Sequence, residues 1–441
     1  MRKLLSLFLA AAIGLSGLLC PVAAVTYEPD FDILSEAVYL ENLDTGTVIY
    51  EKSADRRMYP ASLTKIMTAV LVLENVRDLD GETAEYPLVI QNLLYGTNAS
   101  LGGLVVGEQL SIRKLLYSAL VQSANESAMI LAAHVGNAGD VISSITAFVE
   151  MMNDKAKALG MNSTHFVNPT GLHDDDHYTT ARDLSILAKY AMQNEVFAEI
   201  VSTYAIDIGP TNKHTALWQY ATNRLLIPSS TYYYSPVIGI KTGSTDEGGH
   251  CLISQTAADG YRYFCVMLGS PETKTETYVN FTETRQLYRW AYNNFSLVTL
   301  LEQGELTDEV PVRYSSDGRS VKLITGENSI CLLHDEVSLS SIRYEAETPA
   351  YVEAPVHAGD IIGTLHIKLM DEEIGTVPLV ADCDMALSWP RKVVGFIGSL
   401  FTSTAFKIIL AVLILLVGGY IWLAFRHNRR RRKKRYNNRN Y

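Results

Sequence analysis

The sequence predicts an α+β domain of antiparallel strands and packed helices, then a small all-β module, then one membrane-spanning helix. Three observations predict this. Strand-like runs lie at residues 36–51 and again at 237–268, with helical runs between them. After Phe295 the chain changes to short alternating segments divided by Gly and Asp turns. Residues 408–425 carry no charge over 18 positions, which at a rise of about 1.5 Å per residue reaches roughly 27 Å, close to a hydrocarbon core.

The elements follow in order. Residues 1–24 read as an export signal: Arg2 and Lys3 begin it, residues 4–19 are apolar, and Val22-Ala23-Ala24 offers small residues for cleavage. An uncleaved anchor is the alternative, and Leu19 before Cys20 argues against a lipoprotein. Residues 36–51 form a hairpin around Asp44-Thr45-Gly46. A long helix starts near Pro60, a residue tolerated there because the missing N–H has no partner. Helices are expected at 112–121 and 127–135, separated by the polar break 122–126, and at 140–159, ended by Gly160. Thr180 and Asp183 resemble a capping box for a further helix. Strands are expected at 237–240, 251–256 and 261–268, the last two joined by Asp259-Gly260, and a closing helix at 283–292. The all-β module has expected strands at 309–314, 320–324, 336–339, 361–369 and 375–380. The resulting division is a signal at 1–24, a first domain at 25–295, a β-rich domain at 296–385, a linker at 386–407, the span at 408–425 and a basic tail at 426–441.

Charge is divided along the chain. The 441 residues carry a net −11. The tail holds nine Lys/Arg and no acid, so residues 25–425 keep 26 bases against 48 acids, a net −22. An acidic body excludes a nucleic-acid binder, whose bases would line its globular face. The bases that follow the span at once (Arg426, Arg429 to Arg435) place the C-terminus in the cytoplasm, and the body outside, by the positive-inside rule. Lys407 at one edge and Tyr420 and Trp422 near the other suit membrane interfaces. Membrane lipid is therefore an expected partner. Cys251, Cys265, Cys331 and Cys383 match no zinc spacing and read as free thiols.

Three short motifs carry the chemistry. Ser62 and Lys65 are three apart at a helix start, so their side chains share a face. Serine is a poor nucleophile until a base takes its proton, and lysine can serve if burial or a nearby positive charge holds it neutral. Ser123 and Asn125 fall in the break between two helices: a hydroxyl there can relay a proton, and the amide offers a peptide one donor and one acceptor. Lys241-Thr242-Gly243 follows a strand that can pair with an extended substrate. Lys241 and Thr242 suit a carboxylate, and Gly243 permits close backbone approach. Singly each motif has an ordinary structural reading. Their order and setting, helix start, inter-helix break and late strand, point to one shared site.

At these residues the chain resembles the low-molecular-mass penicillin-binding proteins that are serine D-alanyl-D-alanine carboxypeptidases. The resemblance rests on Pro60 to Thr68, on Asn168-Pro169-Thr170-Gly171-Leu172 with His177 to Asp183, on Gly239 to Gly243, and on the β-rich stretch 354–380. It implies the penicillin-binding-protein/β-lactamase-like fold, with Ser62 attacking the bond between the last two D-alanines of a peptidoglycan stem peptide. It further implies Lys65 as base, Ser123 bridging toward Lys241 as proton relay, Asn125 orienting the peptide, and Lys241 and Thr242 holding its carboxylate. Backbone N–H groups of Ser62 and Ser244 would form the oxyanion hole. β-Lactams would acylate Ser62 as inhibitors; no cofactor and no metal are implied. Two departures stand out. Ser244 occupies a place where some members carry His or Tyr, and no carboxylate-binding arginine can be placed after Leu268, where Lys274 is the substitute. A D,D-endopeptidase and a non-catalytic penicillin-binding sensor are the alternatives; a β-lactamase lacks its Glu-x-x-Leu-Asn segment here. The His173–His177 cluster reads as loop turn chemistry rather than a metal site, Asp183 as a cap, and Tyr232 to Tyr234 as packing or an exposed loop.

Overall fold

The structure, a computed structural model, describes residues 27–437. The expected signal at 1–24 and the end of the basic tail lie outside the described residues. Two compact units are present: one runs to Val298 and takes in Cys331–Leu339, and the other holds Thr299–Ile330 with the residues from Ser340 onward.

The first unit has strands β1 (Ala37–Asn42), β2 (Val48–Lys52), β3 (Val237–Thr245), β4 (Gly249–Ala258) and β5 (Tyr261–Ser270). They form one antiparallel sheet in the order β2-β1-β5-β4-β3. The β4–β5 turn has Asp259 at φ 53° and Gly260 at φ 82°, the left-handed pair that an Asp-Gly hairpin requires. Both faces of the sheet are buried. Along β5, Phe264, Val266 and Leu268 enter the larger core, and Tyr263, Cys265 and Met267 enter the second. That is why 263–268 reads as a continuous apolar run rather than an alternating one.

Helices α1 (Lys65–Asn75), α2 (Ile112–Leu120), α3 (Asn125–Gly136), α4 (Val141–Ala158), α5 (Ala181–Ala191) and α6 (Glu195–Ser202) build the larger core. The central one is α3, with every residue from Asn125 to Ala132 buried. Side-chain caps set the boundaries: Asp140 accepts from Ile142 N and Ser143 N, Thr180 from Asp183 N, and Asn194 from Val196 N and Phe197 N. Helix α7 (Val279–Asn294) covers the second face through Phe281, Leu287, Tyr288 and Ala291. Two local differences from expectation matter for the site. The helix near Pro60 opens as a 3-10 turn, Ala61–Thr64, before α1. Lys241-Thr242-Gly243 lies inside β3, which continues to Thr245.

The second unit holds β6 (Leu306–Arg313), β7 (Ser320–Thr325), β8 (Ile342–Glu347), β9 (Val352–Glu353), β10 (Ile361–Leu369) and β11 (Glu372–Ala381), in the order β8-β10-β11-β7-β6-β9. The strand expected at 336–339 is not formed; those residues lie in a turn and loop that run into the 3-10 turn Leu339–Ser341. Strands flank this stretch on both sides, Ser329–His334 before and β8 after. After Ile342 all residues of β8 are exposed, so an edge strand of this kind shows no apolar alternation. Helix α8 (Trp389–Thr402) occupies much of the expected linker, and α9 (Thr404–Asn437) contains the one stretch among the described residues long and apolar enough to cross a membrane, Phe406–Arg429.

Candidate active site

The 3-10 turn Ala61–Thr64 sets the first pair. With three residues per turn, positions i and i+3 eclipse, and Lys65 Nζ lies 2.8 Å from Ser62 Oγ. The amine also donates to Asn125 Oδ1 at 2.9 Å and to Thr170 O at 2.8 Å. Lys65 is fully buried. Burial lowers its pKa well below the usual lysine value, the Lys241 charge lowers it further, and Glu126 opposes them. A neutral amine has two hydrogens and one lone pair. Asn125 Oδ1 and Thr170 O can only accept, so they take both hydrogens. The lone pair is left facing Ser62, whose hydroxyl becomes the donor.

The break between α2 and α3 supplies the second group. Ser123 sits at φ 63°, a left-handed conformation that turns the chain between the helices. Asn125 is the first residue of α3 and only 3% exposed. Its Nδ2 donates to Ser100 O at 2.9 Å, which fixes Oδ1 on Lys65. Much of the amide that the sequence assigns to a peptide thus serves the lysine. Glu126, which sequence reasoning missed, is buried beside them. Its Oε1 accepts from Gly102 N at 2.6 Å, its Oε2 has no protein partner, and burial raises its pKa.

Strand β3 lies at the sheet edge. It pairs with β4 only, with Lys241 opposite Ile253 and Gly243 opposite Cys251. Lys241 is 1% exposed, and burial lowers its pKa to about 7. Its Nζ donates to Thr242 O at 2.9 Å; no direct hydrogen bond joins it to Ser123 among the described residues. Gly243 is demanded by the fold: a Cβ there would come within 2.9 Å of Pro60 O and 3.0 Å of Ser62 N. The glycine lets the strand pass against the Ser62 turn itself.

These elements open on a cleft of about 730 Å³ lined by Ser62, Ser123, Thr242, Gly243 and Ser244. Lys65, Asn125 and Lys241 are buried and are absent from that lining. All three motifs are therefore assembled in one place. Arg224 also lines the cleft. Its guanidinium lies 4.1 Å over the Tyr278 ring and donates to Tyr278 Oη at 3.1 Å. The sequence offered no spacing signal for it, whereas the substitute considered there, Lys274, is exposed and outside the cleft lining.

The remaining tempting features have local partners. His173 faces Asp175 and Glu247 at 3.6 and 3.9 Å, while His177 turns inward. Asp183 Oδ2 accepts from Ser163 N and Thr164 Oγ1 and ties the preceding loop to α5. Tyr232 hydrogen-bonds Glu276 and packs on Tyr278 and Phe281, and Tyr234 stacks on Tyr288. None of the four described cysteines is in a disulfide; three are buried and Cys383 is exposed.

Comparison with known proteins agrees with this assembly. A family profile described as D-alanyl-D-alanine carboxypeptidase matches residues 23–272, and one described as penicillin-binding protein 5, C-terminal domain, matches 295–386. The D-alanyl-D-alanine carboxypeptidase DacF of Bacillus subtilis (strain 168) is 29% identical over 353 residues, covering 79% of this chain and 85% of the relative. A D-alanyl-D-alanine endopeptidase of Pseudomonas aeruginosa is 29% identical over 312 residues, 69% of this chain and 89% of that one. The crystal structure of penicillin-binding protein 5 from Haemophilus influenzae superposes with a TM-score of 0.64 at 25% identity, over 82% of this chain and all of that one. With the profile spanning more than half of the sequence, the chain belongs to the D-alanyl-D-alanine carboxypeptidase family of low-molecular-mass penicillin-binding proteins and is a serine-type carboxypeptidase.

Proposed function

We propose that Ser62 is the nucleophile and Lys65 its base, acting on peptidoglycan stem pentapeptides. Ser62 Oγ attacks the carbonyl between the last two D-alanines as its proton passes to the Lys65 lone pair. The carbonyl oxygen becomes an oxyanion held by the N–H groups of Ser62 and Ser244. Collapse expels D-alanine, whose amine takes a proton through the Ser123 hydroxyl, and water then hydrolyses the acyl-enzyme. Asn125 holds Lys65 and keeps its second Nδ2 hydrogen for the peptide. Lys241, Thr242 and Arg224 receive the terminal carboxylate, and Gly243 brings β3 against the nucleophile turn. A β-lactam takes the same route and leaves slowly from Ser62. The single observation carrying this reading is the buried Lys65 amine 2.8 Å from Ser62 Oγ, with Asn125 Oδ1 and Thr170 O, which can only accept, as its two other partners.

The same reading assigns 25–295 to the catalytic domain, 296–385 to a β-rich domain and 408–425 to a single-pass anchor after the linker 386–407, with the body outside the membrane and the tail at 426–441 in the cytoplasm. The apolar stretch Phe406–Arg429 and the bases after it support that topology. Purified protein incubated with muropeptides tests the activity. Free D-alanine from pentapeptides, absent with Ser62→Ala, is the expected result. Split dimers without D-alanine release would favour the endopeptidase reading, which the Pseudomonas aeruginosa relative motivates. Penicillin labelling with neither product would favour a sensor.

A further inference from the structure

We infer that His177 is a positioning residue: through Thr64 Oγ1 it locks the Ala61–Ser62 peptide so that the Ser62 N–H faces the reacting carbonyl. The inference rests on the reading of Ser62 as nucleophile and oxyanion donor. It is carried by a chain of hydrogen bonds in which every group has one consistent role. Val167 N–H donates to His177 Nδ1 at 3.2 Å, so Nδ1 bears no proton and Nε2 does. Nε2–H then donates to Thr64 Oγ1 at 2.8 Å. The Thr64 hydroxyl passes the polarity on by donating to Ala61 O at 2.9 Å.

Ala61 O is the far end of the peptide whose near end is Ser62 N–H. That bond is not among the cis peptides of the described residues, and in a planar trans peptide C=O and N–H point in opposite directions. Pinning the carbonyl inward therefore aims the N–H outward, toward the cleft. Two glycines close on the same peptide. A Cβ at Gly171 would stand 1.8 Å from Ala61 O, and one at Gly243 would stand 3.0 Å from Ser62 N. Ala61 itself has φ +46° and is 1% exposed. A non-glycine residue keeps that conformation only where its surroundings over-determine it, and the histidine–threonine chain is such a constraint. His177 is 2% exposed, and burial lowers its pKa to about 4. The ring thus stays neutral at ordinary pH and keeps its tautomer.

A histidine that only filled space against Phe166, whose ring it meets edge-on at 5.5 Å, would not matter to the oxyanion. Full-length protein carrying Thr64→Val, Thr64→Ser, His177→Leu or His177→Gln separates the two roles. The readouts are the penicillin acylation rate, kcat and KM on a D-alanyl-D-alanine peptide, the Ki of a peptidyl boronate, and Tm. Thr64→Val and His177→Leu should each slow acylation and kcat by about 10²-fold, the cost of a misplaced oxyanion donor, with KM within twofold. The boronate, whose tetrahedral adduct places an oxygen in the oxyanion position, should weaken by the same factor. The double variant should be no worse than either single one. His177→Gln, which can keep a donor near the Nε2 position, and Thr64→Ser should recover to within tenfold of the parent. Should His177→Leu fail to fold, the near-isosteric Thr64→Val decides. Acylation by Thr64→Val within threefold of the parent overturns the inference. So does a loss that appears in KM or Tm while boronate affinity is unchanged. Labelling that persists in Ser62→Ala would instead bring down the underlying reading, and this inference with it.

Discussion

Three oxygens surround the Lys65 amine, and two of them, Asn125 Oδ1 and Thr170 O, can only accept. Burial, with the Lys241 charge beside it, favours the neutral amine, and the proposed role as base rests on that. The sign of its pH dependence follows. A lysine whose pKa is lowered becomes neutral as pH rises through the lowered value, so acylation of Ser62 should climb with pH along an acid limb that ends well below the ordinary lysine range. Glu126 favours the charged form of Lys65. Replacing it by glutamine removes that opposition, and the acid limb in a plot of acylation rate against pH should move to lower pH. A move to higher pH would contradict the assignment. The Ser62–Lys65 pair was legible in the sequence because a spacing of three fixes it locally. Glu126 was not: its weight comes from burial and from the bond to Gly102, 24 residues away in sequence. Arg224 was hidden for the same reason, and His177 was read only as part of a loop cluster, because its contact with Thr64 is 113 residues apart in sequence.

The loop from Asn168 to Leu172 shows how one element serves the chemistry from outside the cleft. Asn168 Oδ1 accepts from Thr170 N, Thr170 Oγ1 and Gly171 N, and its Nδ2 donates to Leu172 O. This closes the turn that presents Thr170 O to Lys65. Asn168→Ala should cost about 1–3 kcal/mol of stability, readable in a denaturant titration. It should also slow acylation by roughly tenfold, because the carbonyl that holds one amine hydrogen is no longer fixed. A stable variant with unchanged acylation would separate the loop from the lysine. At this scale the hairpin, α4 and the Asp-Gly turn were readable from caps, glycine and alternation. Strand β8 was not, because an exposed edge strand needs no apolar pattern.

The chain divides into two compact units, and the second includes a helix able to span a membrane. Sequence texture placed a change at Phe295, yet Cys331–Leu339 returns to the first unit. There Leu332 joins the core with Trp290 and Phe295, His334 stacks on Tyr27 at 4.0 Å, and Asp335 N donates to Asn294 O. A contribution from so far along the chain has no local signature. A chain ending at Val298 should therefore have a Tm lower by several degrees and aggregate on heating. One ending at Ser388, which loses both terminal helices, should keep the parent acylation rate and partition to the soluble fraction. Equal stability of the Val298 truncation would show that 331–339 is dispensable to the first unit.

In the proposed reaction one serine, Ser62, is activated by one buried lysine, Lys65. The decisive measurement is mass mapping of protein saturated with a fluorescent penicillin, using the parent, Ser62→Ala and Lys65→Met at a series of pH values. The expected result is a single adduct on the peptide carrying Ser62, none in Ser62→Ala, and a rate in Lys65→Met lower by at least about 10³-fold with the rising acid limb gone. An adduct on another residue, or a Lys65→Met protein that acylates at the parent rate with the same pH profile, would contradict it.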